Sequence, residues 1–243
     1  MTDADESRLC EEGLVFFGRV MAGQCHELVN VFNIVNELAG LQEDTLGRVR
    51  QGDPGGFEKL GEAVGRVQAQ VKRGQTIIRN MHQFAHSVDA PWVVFDAREV
   101  IGRVVFFATR QTRLRETELS ASLPDAGVAL ESNPFWLQQA VYMAIELLLE
   151  GTAGRGRISV TLSPKPDGAA IVLVGADPVP RGPQTAVRIA TLSSILGVLG
   201  GEVREAPRHA AEDRLVLFVP HSRRGSVRPD SNGASQAAAG GDC

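Results

Sequence analysis

The residues whose types and spacing suit chemistry are Cys25-His26-Glu27-Leu28-Val29-Asn30. An imidazole with a carboxylate beside it can serve as a nucleophile: the carboxylate orients the ring and takes its proton while the other ring nitrogen attacks. That chemistry needs the ring held rigidly and open to solvent. The stretch lies in a helical heptad pattern whose seam is Leu14, Phe17, Met21, Gln24, Leu28, Val31, Val35, Leu38, Gln42 and Thr45, large and apolar except at Gln24, Gln42 and Thr45. His26 falls two places past one seam position and two before the next, on the outward side. Glu27 lies on the flank of the seam, in the row of Val20, Ile34 and Leu41. By spacing alone such a histidine also reads as an ordinary surface residue, so both readings stand at this point.

The elements that must hold this stretch follow from the rest of the chain. The helix around it runs from about Ser7 to Val49 and stops at Gln51-Gly-Asp-Pro-Gly-Gly56, where proline and glycines break it; residues 1–6 read as frayed. A second helix runs from about Phe57 to His86, with the seam Phe57, Leu60, Val64, Val67, Val71, Gly74, Ile78, Met81 and Ala85. Its outer face carries Glu58, Lys59, Arg66, Lys72, Arg73 and Arg79 and reads as solvated. Two helices with so short a break form an antiparallel hairpin. A lone hairpin cannot enclose apolar stripes of that length, so a homodimeric four-helix bundle is expected. Packing of the hairpin on the rest of its own chain is the alternative. His82 and His86 lie four apart near the end of the second helix. That spacing suits a metal pair, but no third ligand follows, and a helix C-terminus favours cationic side chains. No metal site is expected.

Beyond the linker Ser87–Pro91 the periodicity changes. Trp92–Asp96 reads as a strand, Ala97 to about Arg115 as a helix, and Glu116–Leu123 and Val128–Glu131 as strands. Asn133-Pro134 opens a helix to about Glu150. Ile158–Ser163 and Ala169–Val174 form a hairpin, and a helix from Pro183 ends at Gly200-Gly201. Glu202–Glu205 and Leu215–Val219 complete an α/β sandwich with helices on one face of a mixed sheet. The fold class is thus α+β: a helical hairpin over 1–88, a sandwich over 89–220, and a Ser/Gly/Ala-rich tail over 221–243 that reads as disordered.

The balance of the 243 residues supports this: 43% are apolar, enough for a core, and the net charge is −4. Arginines and lysines are dispersed instead of grouped with aromatics, which argues against nucleic acid. Cys10, Cys25 and Cys243 show no disulfide or metal spacing and suit a reducing cytoplasm. No apolar run reaches membrane-spanning length, and the acidic N-terminus is unlike a signal peptide. A cytoplasmic protein without membrane contact is expected.

His-Glu-x-x-Asn at 26–30 on the first helix of a hairpin resembles the phosphoacceptor box of two-component histidine kinases. The resemblance implies that His26 carries the phosphoryl group, Glu27 is the adjacent acid/base, and Asn30 helps to position the incoming group. Many members of that family have a proline soon after the Asn, where this chain has Val31-Phe32; its loss removes a bend, not the reaction. The family's dimerisation domain is a four-helix bundle. The order of elements after residue 89 resembles its ATP-binding domain: Phe135–Val141 looks like the start of the Asn-bearing helix, Gly200-Gly201 like the turn after the last helix, and Leu215–Pro220 like the closing strand.

The nucleotide boxes depart from that family. Met143 and Leu147 fall at the two Asn positions that would hold Mg²⁺, with Glu146 nearby. Gly175-Ala-Asp-Pro-Val-Pro-Arg-Gly182 offers one carboxylate, Asp177, without the glycines of the Asp-x-Gly-x-Gly box. Ala186-Val187-Arg188 replaces the Gly-x-Gly whose backbone must approach phosphate. ATP is therefore not expected as a cofactor. An intact phosphoacceptor box with degraded nucleotide boxes resembles histidine phosphotransferases built on the kinase scaffold. The expected function is phosphoryl exchange between His26 and an Asp of a response-regulator receiver domain, with Mg²⁺ supplied by the receiver. An ATP-dependent autokinase with a diverged site, and a non-catalytic dimeric adaptor, remain as alternatives.

Overall fold

The computed structural model of the chain describes residues 3–152, 154–180, 182–205 and 213–222, and for residues 3–6 and 205 only the backbone. Helix α1 (Asp3–Arg50) and helix α2 (Gly56–Ala85) form the hairpin, joined through a turn at Gly52. At 1.5 Å per residue they are about 72 and 45 Å long. A 3₁₀ turn (His86–Val88) leads to β1 (Val93–Asp96), α3 (Ala97–Leu114), β2 (Glu118–Ser122), β3 (Ala129–Ser132), α4 (Pro134–Gly151), β4 (Arg157–Lys165), β5 (Gly168–Gly175), α5 (Pro183–Val198), β6 (Glu202–Glu205) and β7 (Asp213–Pro220). The main sheet has the order β2-β4-β5-β7-β6, parallel only between β2 and β4; β1 and β3 form a separate antiparallel pair. Alternate residues Ile158, Val160, Leu162, Leu215, Leu217 and Val219 are buried beneath α4 and α5, and α3 packs on β2 and α4, which places the helices on one face.

The sandwich follows the sequence closely because its punctuation is chemical. Asp96 caps α3 by accepting from the Arg98 amide at 3.0 Å, and Asn133 caps α4 by accepting from the Trp136 amide at 3.0 Å. Gly200 sits at φ +76°, and the Gly201 amide donates to the Leu196 carbonyl at 2.8 Å, closing α5 in a Schellman arrangement. A side chain on Gly201 would collide with the Phe218 carbonyl of β7, so both glycines are structural requirements.

The hairpin departs from the expected register. In the middle and far end of α1, Gln24, Val31, Leu38 and Thr45 are buried at heptad spacing, as expected. Toward the N-terminus the buried row becomes Leu9, Phe16 and Val20, and Leu14, assigned to the seam, is 73% exposed. The row slips because this third of the helix packs on its own sandwich: Phe16 meets Phe135 and Tyr142 of α4 as well as Phe84 of α2. Residues 3–6, read as frayed, are helical.

On α2 the buried row is Gly56, Ala63, Gly74, Ile77 and Phe84, while Phe57, Val64, Val71 and Ile78 are exposed. The sequence pattern favoured the larger side chains, but a two-helix contact places small residues where backbones approach. A Cβ on Gly74 would stand 3.3 Å from Val31 and 3.7 Å from Leu28. The linker is also docked: Ser87 is buried, its hydroxyl donating to the Phe84 carbonyl at 2.6 Å. Of the expected tail, His221 and Ser222 lie beside β3, where the Glu131 amide donates to the His221 carbonyl at 2.7 Å; residues 223–243 lie outside the described residues.

Candidate functional site

A long uninterrupted helix holds the phosphoacceptor-like box, so its side chains diverge at fixed angles. His26 and Asn30, one turn apart, are both exposed and share a face. Val29 and Phe32, exposed apolar residues, border them at 54% and 61%. Cys25 is an exposed free thiol beside the ring.

Glu27 points elsewhere. Its side chain is 17% exposed and is gripped from two other elements: Oε2 accepts from the Arg73 guanidinium of α2, and Oε1 pairs with Arg110 Nε of α3 at 3.1 Å. Arg73, expected on a solvated face, turns inward to make this bond. Glu27 thus joins both hairpin helices to the sandwich directly beside His26. Neither arginine was legible as its partner, because only the packing of α1 against α2 and α3 brings residues 27, 73 and 110 together.

The second candidate region is the face of α4 that would bear a nucleotide by the family resemblance. Leu147 is buried in the core, and Met143 lies on the wall of an open groove of about 810 Å³ between α1, α3, α4 and α5. Glu146 pairs with Arg19 of α1 at 3.0 Å and with Arg188 of α5 at 3.1 Å, and Arg188 also pairs with Glu150. Burial pushes the Tyr142 phenol on the same wall upward, with nearby Glu146 adding to the shift, so it stays a neutral group. The chain after β5 folds back onto the end of α4, where a Cβ on Gly151 would come within 2.8 Å of the Pro178 carbonyl. The groove wall thus carries the carboxylates of Glu146 and Glu150, the guanidinium of Arg188 and the amides of Gln111 and Gln139.

Between the two regions lies a buried joint. Arg103 of α3, 8% exposed, donates to Gln83 of α2 at 3.0 Å and to Gln138 of α4 at 3.3 Å, and burial pulls its pKa down. Phe84 is fully buried and meets Phe16, Phe17, Phe107 and Phe135. His86 caps α2 through its backbone amide, which donates to the His82 and Phe84 carbonyls. Among the described residues no helix is long and apolar enough to cross a membrane.

No family model matches the chain, and no curated protein matches it. Solved structures do. The catalytic domain of histidine kinase ThkA in a nucleotide-free form is 14% identical, covering 55% of this chain and 98% of that one at a TM-score of 0.50. Acinetobacter baumannii histidine kinase AdeS is 11% identical over 76% of this chain and 95% of that one, with a TM-score of 0.47. ThkA in complex with response regulator protein TrrA is 16% identical over 92% of this chain and 68% of that one, with a TM-score of 0.47. In fold, this chain is histidine-kinase-like, its sandwich having the architecture of a histidine kinase catalytic domain.

Proposed function

We propose that the protein is a two-component signalling component in which His26 exchanges a phosphoryl group with an aspartate of a receiver domain. The observation that supports the reading is a contrast: His26 is open to solvent on a rigid helix, whereas Arg188, at a position where the family resemblance would put glycine, is paired with Glu146 and Glu150. One Nδ1 or Nε2 lone pair of His26 attacks the phosphorus of the receiver's aspartyl phosphate in line. The N–P bond forms as the P–O bond breaks, the aspartate leaves as carboxylate, and the proton on the other ring nitrogen passes to solvent. The receiver's own Mg²⁺ neutralises the phosphoryl oxygens. Asn30, one turn on, donates to the incoming group, and Val29 and Phe32 give the receiver an apolar rim to dock on. Glu27, with both carboxylate oxygens engaged by arginines, fixes the helix bearing His26 in place of acting as the proton acceptor.

The row Phe57, Val64, Val71 and Ile78 is exposed among the described residues, which supports a homodimeric four-helix bundle along the far part of the hairpin. The protein is read as cytoplasmic, with a hairpin unit over 1–88 and a sandwich unit over 89–220 that does not take up ATP in the usual way. The likeness to a catalytic domain supports a second reading, a diverged autokinase. Incubating the purified chain with labelled ATP and Mg²⁺, and separately with receiver domains charged with labelled phosphate, decides between them. Acid-labile label from the receiver alone is the expected result. Label on His26 from ATP without a receiver sinks the relay, and no label from either source favours an adaptor.

A further inference from the structure

We propose that His82 and His86 form a two-histidine site for a divalent ion of the zinc class, oriented by Asp89, at the joint between hairpin and sandwich. The Nε2 atoms of the two rings stand 3.2 Å apart. Two imidazole ligands at about 2.0–2.1 Å from one tetrahedral ion place their nitrogens about 3.3–3.4 Å apart, so the rings need move little to share an ion. The spacing is set by the helix, since residues four apart lie one above the other, and the ring centroids are 4.4 Å apart. His86 Nδ1 lies 2.5 Å from Asp89 Oδ2. In the tautomer with the proton on Nδ1 toward Asp89, the Nε2 lone pair of His86 faces His82, the outer carboxylate arrangement that orients metal-bound histidines.

Both rings are exposed, as is Asp89, so an ion has an entry path and its remaining positions stay open to water. Among the described residues no three His, Cys, Asp or Glu groups converge on one point. The site is therefore bidentate and exchanges its ion readily, and imidazole donors select Zn²⁺, Cu²⁺ or Ni²⁺ over Mg²⁺ or Ca²⁺. Its place gives it a consequence. His86 begins the 3₁₀ turn and Asp89 follows it, so a bound ion pins the turn onto the last helical turn of α2, next to Phe84 and Ser87. This inference stands apart from phosphoryl exchange and uses none of its residues.

The test is calorimetric titration of the untagged full chain with Zn²⁺, repeated with Co²⁺ to read its visible absorption. The expected result is one ion per chain, lost in His82→Ala and in His86→Ala, weakened about 10–100-fold in Asp89→Ala, and unchanged in His26→Ala. Circular dichroism checks that these surface variants remain folded, and His86→Gln provides a second, volume-matched replacement. Absence of binding, binding retained by either histidine variant, or an Asp89→Ala affinity equal to that of the parent overturns the proposal.

Discussion

Two clusters in this molecule use the same chemistry for opposite ends. At the box, Glu27 lies between Arg73 and Arg110, and the effect is to leave the neighbouring imidazole unencumbered. On α4, Glu146 lies between Arg19 and Arg188, and the effect is to occupy the wall of a groove. Each carboxylate bridges α1 to the sandwich, once directly and once through the groove. A helix side chain next to a ring orients it only if it is free to turn toward it, and here it is committed sideways. An acidic neighbour in sequence therefore need not face the ring in space.

The largest expected effect comes from removing the ring. His26→Gln is expected to abolish phosphoryl acceptance from a charged receiver while leaving mass and helicity unchanged; persistent acid-labile label moves the chemistry to another residue. Next is the joint through which both clusters connect. Phe84→Ala is expected to cost about 3–5 kcal/mol in denaturant unfolding, because the ring is fully buried among four other phenylalanines. A cost below 1 kcal/mol means that the hairpin and sandwich do not pack as described. Val71→Glu, on the exposed row of α2, is expected to halve the mass of the proposed dimer seen by light scattering with little change in melting; an unchanged mass counts against that row as its interface.

A smaller effect distinguishes the two roles for Glu27. Glu27→Gln and Arg110→Ala are expected to slow phosphoryl transfer by similar factors and to change stability by about 0–1 kcal/mol each, as befits partly exposed pairs. A loss of about 10²–10⁴-fold in Glu27→Gln alone restores it as the acid/base. The smallest effect lies in the sandwich. The Arg98 side chain bonded to Asp96 holds that carboxyl at about 2, below its ordinary 3.8, although burial opposes the shift. A depressed folded-state pKa stabilises above the unfolded value, so this contribution is complete above about pH 4 and lost as pH falls toward 2. Asp96→Asn is expected to flatten the acid limb of stability in that window, as measured by unfolding midpoints at pH 2–5.

The sandwich was legible because its boundaries are written in residues with fixed backbone demands. Asp96, Asn133-Pro134 and Gly200-Gly201 fall where the elements begin and end. The hairpin was legible as two helices but not in register. Periodicity reports which residues are apolar, and in α2 the contact row Gly56, Ala63, Ile77 and Phe84 lies one place before the expected Phe57, Val64, Ile78 and Ala85, its first two members carrying little hydrophobic signal. The exposure of His26 was legible from the heptad phase. The direction of Glu27 was not, since a flank position faces solvent or a neighbour according to what packs there.

The sequence by itself determined the helical spacing of His26, Glu27 and Asn30, the caps and stops of the sandwich, and the side-chain types at Met143, Leu147 and Arg188. These are local matters of backbone geometry and side-chain type. Only the tertiary structure decided that Arg73 and Arg110 take Glu27, that Arg19 and Arg188 take Glu146, and that the first third of α1 leans on α4. Each of those pairings joins residues far apart in the chain, and long side chains settle their partners only once the helices have packed.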